Sequence, residues 1–184
     1  GDAERFEPSG DAERFEPHDK PDILEPFRIA RRLETEGRAF FEEAARKAES
    51  DLVRQTFQFL AAEEIRHIEK IDKFVRSLEI SEGREVPEIE DSNAEAKLAE
   101  FNNRLAALRD TISPSASDVE AYRFAIKFEN GAEEFYLEKM NEAEDPRIKR
   151  FYKWLIDEET MHARLLRSCL NFACDPAEWF RRHR

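Results

Sequence analysis

The chain has 184 residues, 39% of them charged and 40% apolar, with five glycines and a formal net charge of −12. That length suits one domain with a buried core, and the glycine-poor, charge-rich composition with apolar residues at helical spacing points to an all-α protein. The acidic balance argues against nucleic acid and anionic membrane surfaces; no run of 18 apolar residues offers a span, and no signal-peptide pattern opens the chain, so a cytoplasmic setting is expected.

Residues 1–21 contain a nine-residue unit given twice, GDAERFEPS and GDAERFEPH. Two copies are too few for a solenoid, so this acidic segment is expected to be a flexible or artificially appended tail, and no function is assigned to it. Residues 22–184 are expected to form one domain: a helical hairpin over 22–78, a crossover over 79–117, a second hairpin over 118–173 and a C-terminal tail over 174–184. Asp22 is placed to cap the first helix, with Pro26 in its opening turns. Core positions spaced alternately four and three apart are Ile23, Phe27, Ala30, Glu34, Gly37, Phe41, Ala44 and Ala48. Ser50-Asp51 recaps the chain for the second helix, whose seam is Val53, Phe57, Leu60, Glu64, His67, Ile71, Phe74 and Leu78.

The crossover begins loop-like, as SEGREVPEIED, and then opens a helix at Ser92-Asn-Ala-Glu95 with apolar Ala94, Leu98, Phe101, Leu105, Leu108 and Ile112. About 20 helical residues reach roughly 30 Å, enough to join two hairpins whose turns lie at opposite ends. A partner-binding or dimer helix is the rival reading. Ser117-Asp-Val-Glu120 has the form of a capping box for the next helix, with Tyr122, Ala125, Glu129, Ala132, Tyr136 and Ala143 on its seam, and less cleanly Lys139. Asp145-Pro146 supplies an N-cap with proline at the first helical position. The last seam is Ile148, Tyr152, Leu155, Glu159, His162, Leu166, Cys169 and Ala173.

The two hairpins repeat one pattern at an offset of 95 residues: Glu34 with Glu64-Ile-Arg-His67, then Glu129 with Glu159-Thr-Met-His162. Each lone glutamate precedes its E-x-x-H by 30 residues. Glu34 and the Glu64–His67 pair lie about equally far from the Ser50 turn, roughly 24 Å at about 1.5 Å per residue, so they are level; the second hairpin repeats this. Glutamate and histidine at i, i+3 face the same way. A single E-x-x-H is usually a solvated surface pair. Here four carboxylates and two imidazoles fall on buried seams, where unpaired charge costs several kcal/mol, and no Lys or Arg falls on the matching seam positions. The other two histidines, His18 and His183, lie in the tails. Two divalent cations balance four carboxylates, so a two-metal site is expected at Glu34, Glu64, His67, Glu129, Glu159 and His162. Mixed carboxylate and imidazole donors suit iron first and manganese second, with zinc possible only outside a structural thiolate site.

Glu63 and Glu158 precede the E-x-x-H glutamates. Either is read as an acceptor for a histidine N–H from another helix; a solvated face is the alternative, and Glu63 is also placed to compete as a ligand. Tyr136, seven residues after Glu129, is a hydrogen-bonding or redox candidate, although its counterpart Phe41 argues equally for packing. Arg66 is read as a surface or supporting charge, Trp154, Trp179 and Cys169 as packing residues, and the terminal RRHR as a solvated end. Cys169 and Cys174, five apart, form no C-x-x-C pair and are expected to be reduced thiols.

At these residues the chain resembles the ferritin-like superfamily, specifically rubrerythrin-like proteins. LETEGRAFFEEAA and FENGAEEFYLEKM resemble that family's first and third helices, and AAEEIRHIEKI and IDEETMHARLL its second and fourth. The resemblance covers roughly residues 22–172. It implies a four-helix bundle with a non-haem di-iron centre, in which Glu64 and Glu159 bridge the metals, Glu34 and Glu129 are terminal ligands, and His67 and His162 each bind one iron. Family members reduce H2O2 or oxidise Fe(II) with O2, and commonly dimerise. Two departures stand out. The chain has no C-x-x-C…C-x-x-C rubredoxin module, so the built-in electron donor of full-length rubrerythrin is expected to be missing, and the donor is unknown. The additional glutamate that rubrerythrins carry three residues after the third-helix ligand is here Ala132, and its counterpart after Glu34 is Gly37. The expectation is therefore a di-iron oxidoreductase of ferroxidase or peroxide-reductase type, as a homodimer. The alternatives are a non-catalytic bundle for iron storage, delivery or sensing, and a structural bundle with zinc or manganese.

Overall fold

The computed structural model describes residues 23–81, 88–107 and 115–182. Six helices follow one another: α1 (Glu25–Lys47), α2 (Asp51–Ile80), α3 (Ala94–Ala107), α4 (Ala116–Glu142), α5 (Pro146–Cys174) and α6 (Pro176–Arg182). The suggested cap Asp22 and the crossover residues Leu108 and Ile112 lie outside the described residues. So do the duplicated N-terminal segment and the chain's last two residues.

Local chemistry sets the helix ends. The Ser50 hydroxyl accepts from the Val53 N–H at 3.2 Å and starts α2, and Asp145 accepts from the Arg147 N–H at 2.8 Å to start α5 behind Pro146. α1 starts at Leu24 without a side-chain cap. Its expected seam residue Ile23 therefore lies before the helix, 55% exposed. The capping box of α4 is also two residues earlier than the sequence reading placed it. Ser115 is the cap and Asp118 its reciprocal partner. Two S-x-x-acid frames overlap here, and Asp118 wins because it also accepts from the Glu49 N–H at 3.3 Å, tying α4 to the α1–α2 turn.

α1 packs chiefly on α2 and α4 chiefly on α5, giving the two hairpins. Their turns lie at opposite ends: the first beside the start of α4 through Asp118, the second beside the start of α1, where Phe27 stacks on Tyr152 at 5.3 Å. The crossover spans that distance along α5. Asp91 meets Arg150, Ser92 meets Glu158, Glu95 meets Arg164 and Asn102 meets Ser168, so α3 runs parallel to α5. Among the described residues, no helix is long and apolar enough to cross a membrane.

Two apolar clusters fill the bundle. One is built on Phe41, Phe57, Leu60, Tyr122, Leu165 and Phe172, the other on Phe27, Ile71, Phe74, Phe151, Tyr152 and Leu155. Full burial of each such side chain contributes about 1.5–3 kcal/mol. Small shifts separate the seams from expectation: Ala45 is buried rather than Ala44, and Phe172 rather than Ala173. Cys169 is buried and Cys174 exposed, and neither is in a disulfide.

The stretch read as a C-terminal tail contains α6. Trp179 is buried edge-on against Phe172 at 5.5 Å, and its indole N–H donates to the Ser168 hydroxyl at 2.9 Å. Trp179→Ala is expected to cost about 3–5 kcal/mol, the range for removing a buried aromatic. Chemical denaturation would measure it, and a cost under about 1 kcal/mol would mean that α6 does not hold the bundle.

Candidate metal centre

Between the two apolar clusters lie the six acids and imidazoles that the repeat singled out. α1 carries Glu34, α2 carries Glu64 and His67, α4 carries Glu129, and α5 carries Glu159 and His162, each at most 2% exposed. Donor atoms of Glu34, Glu64, His67 and Glu159 lie within 4.8 Å of one another, as do those of Glu64, Glu129, Glu159 and His162. Glu64 and Glu159 belong to both groups.

The distances show how they are shared. His67 Nδ1 is 2.9 Å from Glu34 Oε2, 3.2 Å from Glu159 Oε1 and 3.8 Å from Glu64 Oε2. His162 Nδ1 is 3.2 Å from Glu129 Oε1, 3.3 Å from Glu159 Oε2 and 3.3 Å from Glu64 Oε1. Each shared carboxylate thus turns one oxygen to each histidine. The two imidazoles stack at 5.1 Å, 12° from parallel.

Much of this donor capacity has no hydrogen-bond partner. Both oxygens of Glu159, Oε1 of Glu64, Oε1 of Glu129 and both ring nitrogens of His162 are buried without one. Such groups cost about 1–3 kcal/mol each, and more when charged. Oxygen and nitrogen lone pairs converging without donors are what a pair of cations satisfies, so the residues fit a two-metal centre.

The electrostatics reflect the crowding. Burial, then the neighbouring carboxylates of Glu34 and Glu159, push the Glu64 carboxyl well above its usual range. Burial and Glu159 do the same to Glu129. For the histidines burial works against the charged ring, but Glu34 and Glu159 around His67, and Glu129 and Glu159 around His162, prevail and raise both well above the ordinary value. Burial also opposes ionisation of Glu159, yet His67 and His162 hold its carboxyl well below the usual range.

Tyr136 is buried and its hydroxyl donates to Glu34 Oε1, with burial and the Glu34 charge raising the phenol well above its ordinary value. It therefore does more than pack. Glu158 Oε2 approaches His67 Nε2 at 3.6 Å, from a different helix, as read for an acceptor. Burial disfavours its charge, but His67, Lys97 and Ser92 bring its carboxyl down to about 2. Glu63 comes close enough to His67 and His162 to form a third donor group with them. However, cations hold both its oxygens: Arg66 at 2.6 Å on Oε1 and Lys97 at 2.5 Å on Oε2. This favours a supporting role over ligation, and a solvated face is excluded for both acids by their burial. Trp154 packs edge-on against His67 at 5.4 Å, with Lys70 above its ring at 4.3 Å.

Three residues near the site carry no site signal in the sequence: Lys97 and Ser92 on the crossover, and Phe128. A Cβ at Gly37 would lie 2.9 Å from Phe128 Cε1 and 3.4 Å from Glu64 Oε2. The space beside Glu64 at this position is thus filled by an aromatic edge. Helix propensity favours alanine over glycine by about 1 kcal/mol, so the close approach explains the glycine. Gly37→Ala is expected to displace Phe128, and a double-mutant cycle with Phe128→Ala should show coupling of about 0.5–3 kcal/mol. Additive free energies would show that the two residues do not interact.

Two hairpins joined by a lengthwise crossover, with a glutamate from each of two helices and a Glu-x-x-His from each of the other two, define a ferritin-like bundle. The chain belongs to the rubrerythrin family, whose sequence profile matches residues 25–170. Among solved structures, a hypothetical protein from Pyrococcus furiosus is similar in fold, with a TM-score of 0.58 and 22% identity over 82% of this chain and 89% of that one. No curated protein matches the chain.

Proposed function

We propose that the chain is a non-haem di-iron oxidoreductase, which binds two Fe(II) between its hairpins and reacts with O2 or H2O2. The observation that carries this is the division of oxygens: Glu64 and Glu159 each offer one oxygen to either histidine, which suits carboxylates bridging two metals. Glu34 and Glu129 would then serve as terminal ligands, and His67 and His162 would each hold one iron. The carboxylate and imidazole donors suit iron or manganese, and a family known for di-iron centres favours iron. A pair of irons held there supplies two one-electron changes to an oxidant.

The protein's own part is to place and insulate that pair. Tyr136 orients Glu34 through its hydroxyl, and Glu158 places a negative charge 3.6 Å from the far nitrogen of His67. The aromatic clusters above and below exclude bulk water, and this strengthens each of these charge contacts. A homodimer completes the reading, which sedimentation would check.

The test is an anaerobic Fe(II) titration of the metal-free protein, then O2 in one cuvette and H2O2 in another, followed by near-ultraviolet absorbance. Saturation at about two irons per chain, with rapid growth of oxo-bridge absorption, is expected. The faster oxidant identifies the chemistry. Two irons that bind but oxidise slowly would move the reading to storage or sensing. Uptake of manganese or zinc in place of iron would overturn the cofactor.

A further inference from the structure

We propose that Lys97, on the crossover helix α3, is a positioning residue of the metal centre, its one ammonium holding together the two carboxylates that stand behind the histidines and setting the reduction potential of the metal pair. The inference rests on the di-iron reading of the six inner residues.

Glu63 and Glu158 are equivalent residues of the two repeats, 95 positions apart, and both are at most 1% exposed. Lys97 Nζ lies 2.5 Å from Glu63 Oε2 and 2.7 Å from Glu158 Oε2. Its side chain is itself only 17% exposed. The crossover is not repeated, so this lysine has no counterpart: the pseudo-twofold pair shares one cation. Ser92, also on the crossover, donates to the other oxygen of Glu158, and Ala94 and Leu98 on α3 are buried in the core. Lys97 is therefore delivered by a packed element and not by a mobile surface arm.

The charges explain what it does. Four inner carboxylates balance two divalent ions. The two outer carboxylates need two further cations, and the structure supplies them as Lys97 and Arg66. Among the described residues Arg66, from an exposed position, pairs with Glu63 alone, so Glu158, which faces His67 Nε2, depends on Lys97. Without Lys97 a buried negative charge stands uncompensated beside a metal-binding imidazole. Negative charge there stabilises the ferric over the ferrous state, and the long side chain of Lys97 keeps that from happening.

The test compares wild type, Lys97→Met, Lys97→Arg and Glu158→Gln, each loaded with iron and poised through a spectroelectrochemical titration. Lys97→Met is expected to lower the midpoint potential, Lys97→Arg to return it towards wild type, and Glu158→Gln to raise it. Thermal unfolding and a Co(II) titration accompany the series, so that a variant with two metals and an intact fold reports on charge alone. A Lys97→Met protein with two metals and an unmoved potential would overturn the proposal, as would one whose lowered potential arginine fails to restore. If Lys97→Met does not fold, the comparison of Lys97→Arg with Glu158→Gln decides it: equal potentials in those two would refute the charge assignment. Failure of wild type to take up two metals would instead refute the di-iron reading.

Discussion

Replacing Glu64 or Glu159 with alanine is expected to abolish paired metal binding while leaving the helical content nearly unchanged. Each of these glutamates belongs to both four-residue donor groups, whereas Glu34 and Glu129 belong to one each. Loss of an outer partner alone typically costs about 10–100-fold in metal affinity, so loss of a shared ligand should exceed about 100-fold at both positions. Glu34→Ala and Glu129→Ala should each leave one metal per chain. The metal-free variants separate this from a purely structural role. Truncating one member of a buried ion pair usually costs about 3–5 kcal/mol. Glu64, by contrast, is held well above the normal carboxyl range by burial and its acidic neighbours. Taking it away relieves that repulsion and offsets the cavity it leaves. Metal-free Glu64→Ala is therefore expected to be at least as stable as metal-free wild type, and the loaded forms should differ sharply. Metal counting and thermal unfolding on the same samples would show it. Two metals retained in either shared-ligand variant would sink the assignment.

How much of this was legible in advance depended on what repeats. The helical seams through Phe27, Phe41, Phe57, Ile71, Tyr122 and Leu166 follow from apolar periodicity, and all six are fully buried or nearly so. The six inner residues stood out because ionisable groups broke that periodicity at equivalent places in both halves. The 95-residue offset turned two weak motifs into one strong one. Residues outside the repeat carried no such signal. Lys97 sits on the unrepeated crossover, and nothing in its local pattern says that its Nζ reaches two acids 34 and 61 positions away. Phe128 could not be matched to Gly37 because the pairing exists only where α1 meets α4. The α4 cap was misplaced for a related reason: Ser115 and Ser117 both begin valid frames, and a tertiary bond from Glu49 to Asp118 chooses between them. Likewise α6 was missed because seven residues show too little periodicity, and only the burial of Trp179 makes a helix of them.

Metal loading is expected to release protons and to strengthen steeply as pH rises. In the metal-free fold Glu64 and Glu129 are pushed well above 4.5 by burial and neighbouring carboxylates. His67 and His162, despite burial, are raised well above 6.5 by the acids around them. Near neutral pH the raised imidazoles therefore hold protons that ligation must displace, and each proton released makes affinity depend more steeply on pH. The apparent affinity should rise as pH climbs through neutrality. Calorimetry in buffers of different ionisation enthalpy would count the protons directly, and a buffer-independent heat with flat affinity would contradict the picture. The same shifts fix the stability of the metal-free protein. A raised carboxyl favours the unfolded chain once pH climbs past 4.5, because only the unfolded chain has then lost its proton. The raised histidines contribute stability that is complete below 6.5 and lost as pH rises through their folded values. Both signs agree. Glu159, held low by the two histidines, and Glu158, at about 2, contribute in the opposite sense, and theirs is lost only as pH falls below the ordinary carboxyl range. Metal-free protein should thus be most stable in mildly acidic solution and weaken towards alkaline pH. Saturating metal should reverse that slope, because the ion takes over from the protons the charge that the buried carboxylates require.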